Sequence, residues 1–301
     1  MSVRSAELLL IFVIASRGTS FMFSKLLLTE MGPFTLMGLR FTIAFLVLGI
    51  LFNKKLRQAN RQTLLSGLLI GTAFFFVMSF ELSGLSGTTS SKAALIENTA
   101  IVFVPIYMAL GNHHLPKKQT MFTALAVLTG VACLVIRGGE FSLSHGDYLI
   151  ILAALTYAGT IILIAKFSKE GDSTTIGIIQ LGVIGFLGLT SAFLMEQPTL
   201  PSSETQWGYL LMLAFVCSGF GFTLQPVAQR HLSAERAGLF CAFNPMVASL
   251  MGLVFLHEEI TPLGIFGMGL ILASILLSNV SPHTLTHHLP HRHAHRVKHS
   301  V

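Results

Sequence analysis

Charge is what this chain has least of. Only 11% of its 301 residues are Asp, Glu, Lys or Arg, while 52% are hydrophobic and the mean hydropathy is +0.73; a soluble domain carries about 25% charged residues. That excludes a soluble globular enzyme. Acidic side chains are scarcer than basic ones, 13 against 19 Lys and Arg, so any carboxylate inside an apolar run stands out. The three cysteines, Cys133, Cys217 and Cys241, all fall within apolar runs, where a thiol is a small packing group and not half of a disulfide framework. The connections between runs are too short to hold a soluble catalytic domain. No small-residue cleavage pattern follows the first run, so it is expected to be an uncleaved helix and not a signal peptide.

What the chain does have is ten long apolar stretches. Crossing about 30 Å of hydrocarbon takes roughly 20 apolar residues in a helix, and lipid-facing backbone is satisfied only in helices or closed barrels. The runs are too long for barrel strands. The expected spans are Glu7 to Leu28, Phe34 to Phe52, Leu64 to Leu82, Lys92 to Leu110, Met121 to Ile136, Tyr148 to Ala165, Thr174 to Met195, Trp207 to Pro226, Ala237 to Leu256 and Leu263 to Val280. The fold class expected is therefore an all-α membrane protein of ten transmembrane helices, with the lipid bilayer as its first partner.

Orientation follows from Lys and Arg. Arg4, the cluster Lys54, Lys55, Arg57 and Arg61, then Lys117, Lys118, Lys166, Lys169, Arg230, Arg236, Arg292, Arg296 and Lys298 fall on one side if the spans alternate. The positive-inside rule makes that side cytoplasmic and both termini cytoplasmic. The pI of about 9.4 then follows from topology, and no nucleic-acid partner is needed to explain it.

The second half echoes the first at one common offset. Asn98-Thr99 falls on Asn244-Pro245, Leu110 on Leu256 and Pro116 on Pro262. Because five is odd, the second quintet must enter the membrane inverted. The expected organisation is a first five-helix repeat over residues 5–140, a second over 141–281, and a tail over 282–301. An inverted repeat puts a binding site near the midplane between halves and allows alternating access by rocking.

The first span reads Arg17-Gly18-Thr19-Ser20-Phe21-Met22-Phe23-Ser24-Lys25, which resembles the W-G-x-x-F-x-x-x-K signature of EamA-type members of the drug/metabolite transporter superfamily. Gly18, Phe21 and Lys25 match, and Arg17 stands where the family has Trp. Leu39-Arg40-Phe41 with Ala44 is similar to the family's L-R-F-x-x-A. Asn244-Pro245 with Leu256-His257-Glu258 is similar to its P…L-G-E, His257 replacing Gly; Leu110-Gly111-Asn112 keeps the Gly, and Thr99 replaces the Pro. The resemblance implies a multi-pass secondary transporter of small organic metabolites in the bacterial inner membrane, commonly an exporter, with no cofactor and with a homodimer as a compatible assembly.

Ionisable side chains inside a membrane are expensive and mark pathways by default. Arg17 lies mid-span, either as the ion-pair partner of Glu97 or as a cation receiving a substrate carboxylate or phosphate. Glu97, desolvated, would hold an exchangeable proton and couple transport to the proton gradient; paired with Arg17 or Lys92 it would be structural. Lys25 and Arg40 read as helix-end anchors, with substrate contact as the alternative. Glu81 ends the third span, and the Gly- and Ser-rich stretch from Ser83 to Ser91 reads as a connection or an outer gate. Asn98, Asn244, Pro245 and Gln225, beside Pro226, complete the expected substrate-binding set, with Tyr157 as a cavity-lining polar aromatic. The surplus of buried cations favours an amino-acid-like or other carboxylate-bearing solute.

After Pro282 the chain is rich in His, from His283 to His299. It is expected to be a disordered cytoplasmic tail with incidental metal affinity and no fixed metal site. An intramembrane enzyme is the main alternative, but His257-Glu258-Glu259 lacks the second His of a zinc-protease helix, and neither a nucleophile elbow nor a phosphate-binding glycine loop occurs. A receptor or scaffold is a third reading, disfavoured by the internal repeat.

Overall fold

Each long helix begins where the sequence supplies an oxygen for the orphan N–H groups of its first turn. Ser2, Asn60, Thr89, Ser144, Asp172 and Ser203 each accept from the backbone N–H three residues on. One further helix opens instead on Gly32 followed by Pro33, whose missing N–H costs nothing at a first turn. In the computed structural model, described over residues 1–111, isolated positions between 122 and 141, and residues 143–241, 243–257 and 261–279, these caps start a bundle of antiparallel helices.

The first half holds α1 (Val3–Gly18), α2 (Ser20–Leu27), α3 (Pro33–Leu51), α4 (Asn53–Arg57), α5 (Arg61–Ser86), α6 (Ser90–Glu97) and α7 (Ala100–Gly111). A two-residue antiparallel ladder, β1 (Ile136–Arg137) with β2 (Glu140–Phe141), pairs Ile136 with Phe141 and Arg137 with Glu140. The second half holds α8 (His145–Phe167), α9 (Ser173–Met195), α10 (Glu204–Met212), a π-helical segment (Leu213–Phe220), α11 (Gly221–Gln229), α12 (Ala234–Phe240), α13 (Phe243–Phe255) and α14 (Pro262–Asn279).

Among the described residues, eight continuous stretches are long and apolar enough to cross a membrane. They correspond to eight of the ten expected spans. The tenth coincides with α14, whose described apolar stretch is shorter, Pro262–Ser274. Most of the fifth, Met121 to Ile136, lies outside the described residues, as do Asn112, Pro116, Lys117, Lys118, Glu258, Glu259 and the His-rich tail.

Among the described residues, four spans are interrupted. The first breaks at Thr19, between α1 and α2, and the fourth at Asn98-Thr99, where Thr99, Ile101 and Val102 donate to carbonyls only three residues back. The π-helical segment interrupts the eighth. The ninth breaks after Phe240, where Cys241 donates to Gly238 and Asn244 to Cys241. Non-ideal backbone at membrane depth is tolerated where protein or a cavity satisfies it.

Small residues let the bundle close. Gly182, Gly185 and Gly188 on α9 face Phe45, Thr42 and Gly38 on α3; a Cβ on Gly188 would lie 2.9 Å from the Gly38 nitrogen. Close helix approach, expected for this stripe, is what it does. Past α13, His257 takes φ 50°, the left-handed position a helix terminus reserves for Gly. Here the chain departs from the L-G-E pattern, and the departure costs roughly 1–2 kcal/mol of backbone strain.

The Ser83 to Ser91 stretch is not a nine-residue loop. α5 runs on to Ser86, Gly87 and Thr88 make the turn, and Thr89 caps α6. Lys25 donates to the carbonyls of Leu85, Ser86 and Thr88 at 2.7–3.2 Å, tying the end of α5 to α2.

Candidate functional site

Both buried arginines lie at the centre of the bundle, over an aromatic floor. Phe222 of α11 packs edge-on against Phe41 of α3 and Phe74 of α5, with centroids 4.9 and 4.8 Å apart. The Arg17 guanidinium sits over Phe222, Tyr157 and Phe74 at 4.5, 5.0 and 5.5 Å. Its Nη1 donates to Tyr157 Oη at 2.8 Å and to Gln225 Oε1 at 2.9 Å. Arg17, Tyr157 and Gln225, widely separated in sequence, therefore form one hydrogen-bonded unit linking α1, α8 and α11.

The expected Arg17–Glu97 ion pair is absent among the described residues, and Lys92 does not neutralise Glu97 either: it pairs with Asp147 at 2.5 Å. The energetics explain how Arg17 does without. A buried unpaired ion costs several kcal/mol. Against that stand two hydrogen bonds to a charged group, about 1.5–3 kcal/mol each, and desolvated cation–π contacts of about 2 kcal/mol. The aromatic box stands in for a counter-ion.

Arg40 is the residue the sequence reading misplaced. It is 1% exposed and among the largest fully buried side chains, not an anchor at the membrane surface. It sits two turns in from Pro33, about 10 Å along the helix axis, too deep for its head to reach the headgroups. That depth was the available signal. Its Nη1 donates to Ser24 Oγ at 3.1 Å and its Nη2 meets Met78 Sδ at 3.3 Å, both weak partners for a cation; its Nε has none among the described residues, and one ring, Phe41, lies under it at 4.7 Å.

Glu81 is likewise internal, because α5 continues beyond it, and it is 2% exposed. Together with Arg17, Ser20, Phe21, Arg40, Met78, Phe222 and Asn244 it lines a crevice with no room for even a water molecule, far short of the ~300 Å³ at which small-molecule pockets begin. The site is closed in this conformation.

Glu97, at the end of α6, is 1% exposed, and neither of its oxygens meets an N–H or hydroxyl donor from the described residues. The acid that faces it is Glu81 of α5, and two carboxyls hydrogen-bond only when one of them is protonated. Asn98 is 3% exposed, with both amide atoms unpartnered; Asn244 lines the crevice with its Oδ1 unpartnered. Pro245 is buried in the first turn of α13 beside Asn244 but does not line the crevice. Cys241 Sγ lies 3.6 Å from Tyr157 Oη, and Cys217 Sγ 3.4 Å from Thr19 Oγ1.

These residues lie on a chain whose relatives are recognisable. The sequence model of the EamA-like transporter family matches twice, over residues 4–136 and 144–280. The chain belongs to that family. It is 27% identical over 272 residues to an uncharacterized transporter of Archaeoglobus fulgidus, covering 90% of this chain and 85% of that one. It is 26% identical to the uncharacterized transporter YcxC of Bacillus subtilis, covering 92% of each. A solved crystal structure superposes with a TM-score of 0.71 at 18% identity, over 92% of this chain and 99% of the other, a likeness of fold alone. This EamA-family chain is thus a multi-pass helical membrane protein of transporter type.

Proposed function

We propose that this EamA-family protein is a secondary transporter that moves a small carboxylate-bearing metabolite, amino-acid-like or similar, by alternating access. The work is assigned as export across a bacterial inner membrane, with both termini cytoplasmic. The observation that carries this reading is the pair of buried arginines around a closed central crevice, neither ion-paired to a carboxylate among the described residues. Arg40, which has no aromatic box such as that of Arg17, is the cation left to receive an anion. The twice-matched family model supports two inverted five-helix repeats, and the interruptions in the first, fourth, eighth and ninth spans supply backbone that can flex around a midplane site.

Arg17, Gln225 and Tyr157 form the rigid floor of the site, Asn98 offers an amide and Asn244 an Oδ1 with no partner among the described residues, Pro245 stands beside Asn244, and Glu97 is the coupling residue. Counterflow in proteoliposomes tests the reading. Vesicles preloaded with a pool of amino acids and monocarboxylates should accumulate a labelled member of that pool in exchange. In Glu97→Gln the exchange should persist while its response to a pH gradient disappears. A protein that binds or converts the solute without exchanging it is a receptor or an enzyme, and the transport reading falls.

A further inference from the structure

Resting on the anion-transport reading above, we infer that Glu81 and Glu97 together form a proton site holding a single shared proton, and that a monoanion binds at Arg40 in company with that proton. Buried ionic groups ordinarily pair opposite with opposite. In this core neither guanidinium is ion-paired with either carboxyl among the described residues.

The carboxyls meet each other from α5 and α6, both at most 2% exposed, and neither Glu97 oxygen has a donor from the described residues. Two ionised carboxylates cannot share such a site, whereas one proton turns their repulsion into a hydrogen bond. The charged and titratable groups facing the pair are Arg17 from α1, Arg40 from α3, Tyr157 from α8 and Cys241 beyond α12. The lysines nearest in sequence are engaged elsewhere: Lys92 on Asp147, and Lys25 on the carbonyls at the end of α5.

The charge count then gives the ligand. Two guanidiniums against a pair bearing one negative charge leave one positive charge over. It resides at Arg40, because Arg17 is boxed by three rings and two hydrogen bonds while Arg40 has an idle Nε and donates to a hydroxyl and a thioether. A monoanion restores neutrality. Loss of the proton also restores it, and so evicts the anion. Proton and anion therefore cross together as a neutral couple, and export runs down the solute's own gradient, carrying a proton out with it.

Infrared difference spectroscopy of the full chain in lipid bilayers tests this. At neutral pH the wild type should show a protonated-carboxyl C=O stretch that disappears in E81Q and disappears equally in E97Q. A band surviving in either single variant means one lone protonated acid and overturns the shared site. The second arm needs no substitution. At an alkaline pH where the wild-type band has faded, saturating formate, the smallest carboxylate, should restore it, tightening proton binding at least about fivefold, while chloride at equal ionic strength does not. No difference between the two salts overturns the linkage, and R40Q should abolish the formate effect. Neither arm depends on transport. A chain that passes both and shows no counterflow loses the transporter reading alone; one that exchanges solute but fails them loses this inference alone.

Discussion

The two ends of the helical bundle are tied by different kinds of contact. At one end the ties are buried or half-buried and interlocked. Lys92 reaches Asp147, which is fully buried and also accepts from Thr88 Oγ1 at 2.7 Å and from the Ser144 N–H at 2.8 Å. Glu196 caps α3 from another helix, accepting from the N–H groups of Phe34 and Thr35 and from Thr35 Oγ1 at 2.7–2.9 Å. Gly84 and Gly146 touch there so closely that a Cβ on the first would lie 2.7 Å from the carbonyl of the second. At the other end the ties are more exposed: Arg236 pairs with Glu7 at 49% and 18% side-chain exposure, Gln62 meets Glu170, and Arg230 reaches the Gly171 carbonyl. Exposed pairs contribute about 0–1 kcal/mol, whereas removing one partner of a buried pair costs about 3–5 kcal/mol. The end bearing Arg236 is therefore the cheaper one to open.

The largest effect should come from Asp147. Asp147→Asn leaves the Lys92 ammonium facing a neutral amide, removes one of the two carboxylate oxygens that bind Thr88 and Ser144, and should destabilise the protein by about 3 kcal/mol in thermal or denaturant unfolding. The double substitution Lys92→Met with Asp147→Leu should recover most of that, because no stranded charge remains. If the double variant is as unstable as the single one, packing around Gly146 and not charge holds this end.

How much of this was legible in the sequence differs between the fold and the site. Spans could be read from apolar run length, since lipid leaves the chain few other ways to satisfy its backbone, and the capping residues Asn60, Ser144 and Asp172 mark helix starts by chemistry alone. Within the site, Arg17, Tyr157 and Gln225 were each suspected singly. Their direct contact depends on three-dimensional packing between the two halves, which no local pattern encodes. Glu81 reads as a helix end because the apolar run stops beside it, and Arg40, inside the second span, reads as an anchor because a long side chain can reach back toward the headgroups. In the structure α5 runs past Glu81 to Ser86, and its end is held by Lys25 from another helix. A helix continued by tertiary hydrogen bonds leaves no trace in a hydropathy window.

A smaller effect should separate the ends kinetically. Arg236→Gln should cost less than about 1 kcal/mol in global stability, too little to stand out in a melt. Yet Arg236 ties α12 to α1, and Cys241, 2% exposed, follows α12 directly. In a background lacking Cys133 and Cys217, maleimide labelling of Cys241 should rise up to about fivefold, the population change that ~1 kcal/mol allows. The reverse pattern, labelling faster in Asp147→Asn than in Arg236→Gln, would mean that the buried end opens first.

The smallest effect belongs to Asp172, outside the spans at the weakly tied end. Partial burial pulls its carboxyl upward. That is outweighed by hydrogen bonds from the Thr175 hydroxyl and N–H and by the nearby Lys55 and Arg230 cations, which hold it below the usual carboxylate range. A carboxylate depressed by folding contributes stability that is fully present above its unfolded value, about 3.9, and is lost as pH falls through the lower folded value. Asp172→Asn keeps a good helix cap while deleting the charge. Its melting temperature should therefore sit slightly below that of wild type near neutrality and converge on it in acid. A gap that persists undiminished at low pH would assign the contribution of this residue to cap geometry, and the electrostatic tie between α9, Lys55 and Arg230 would drop out of the comparison between the two ends.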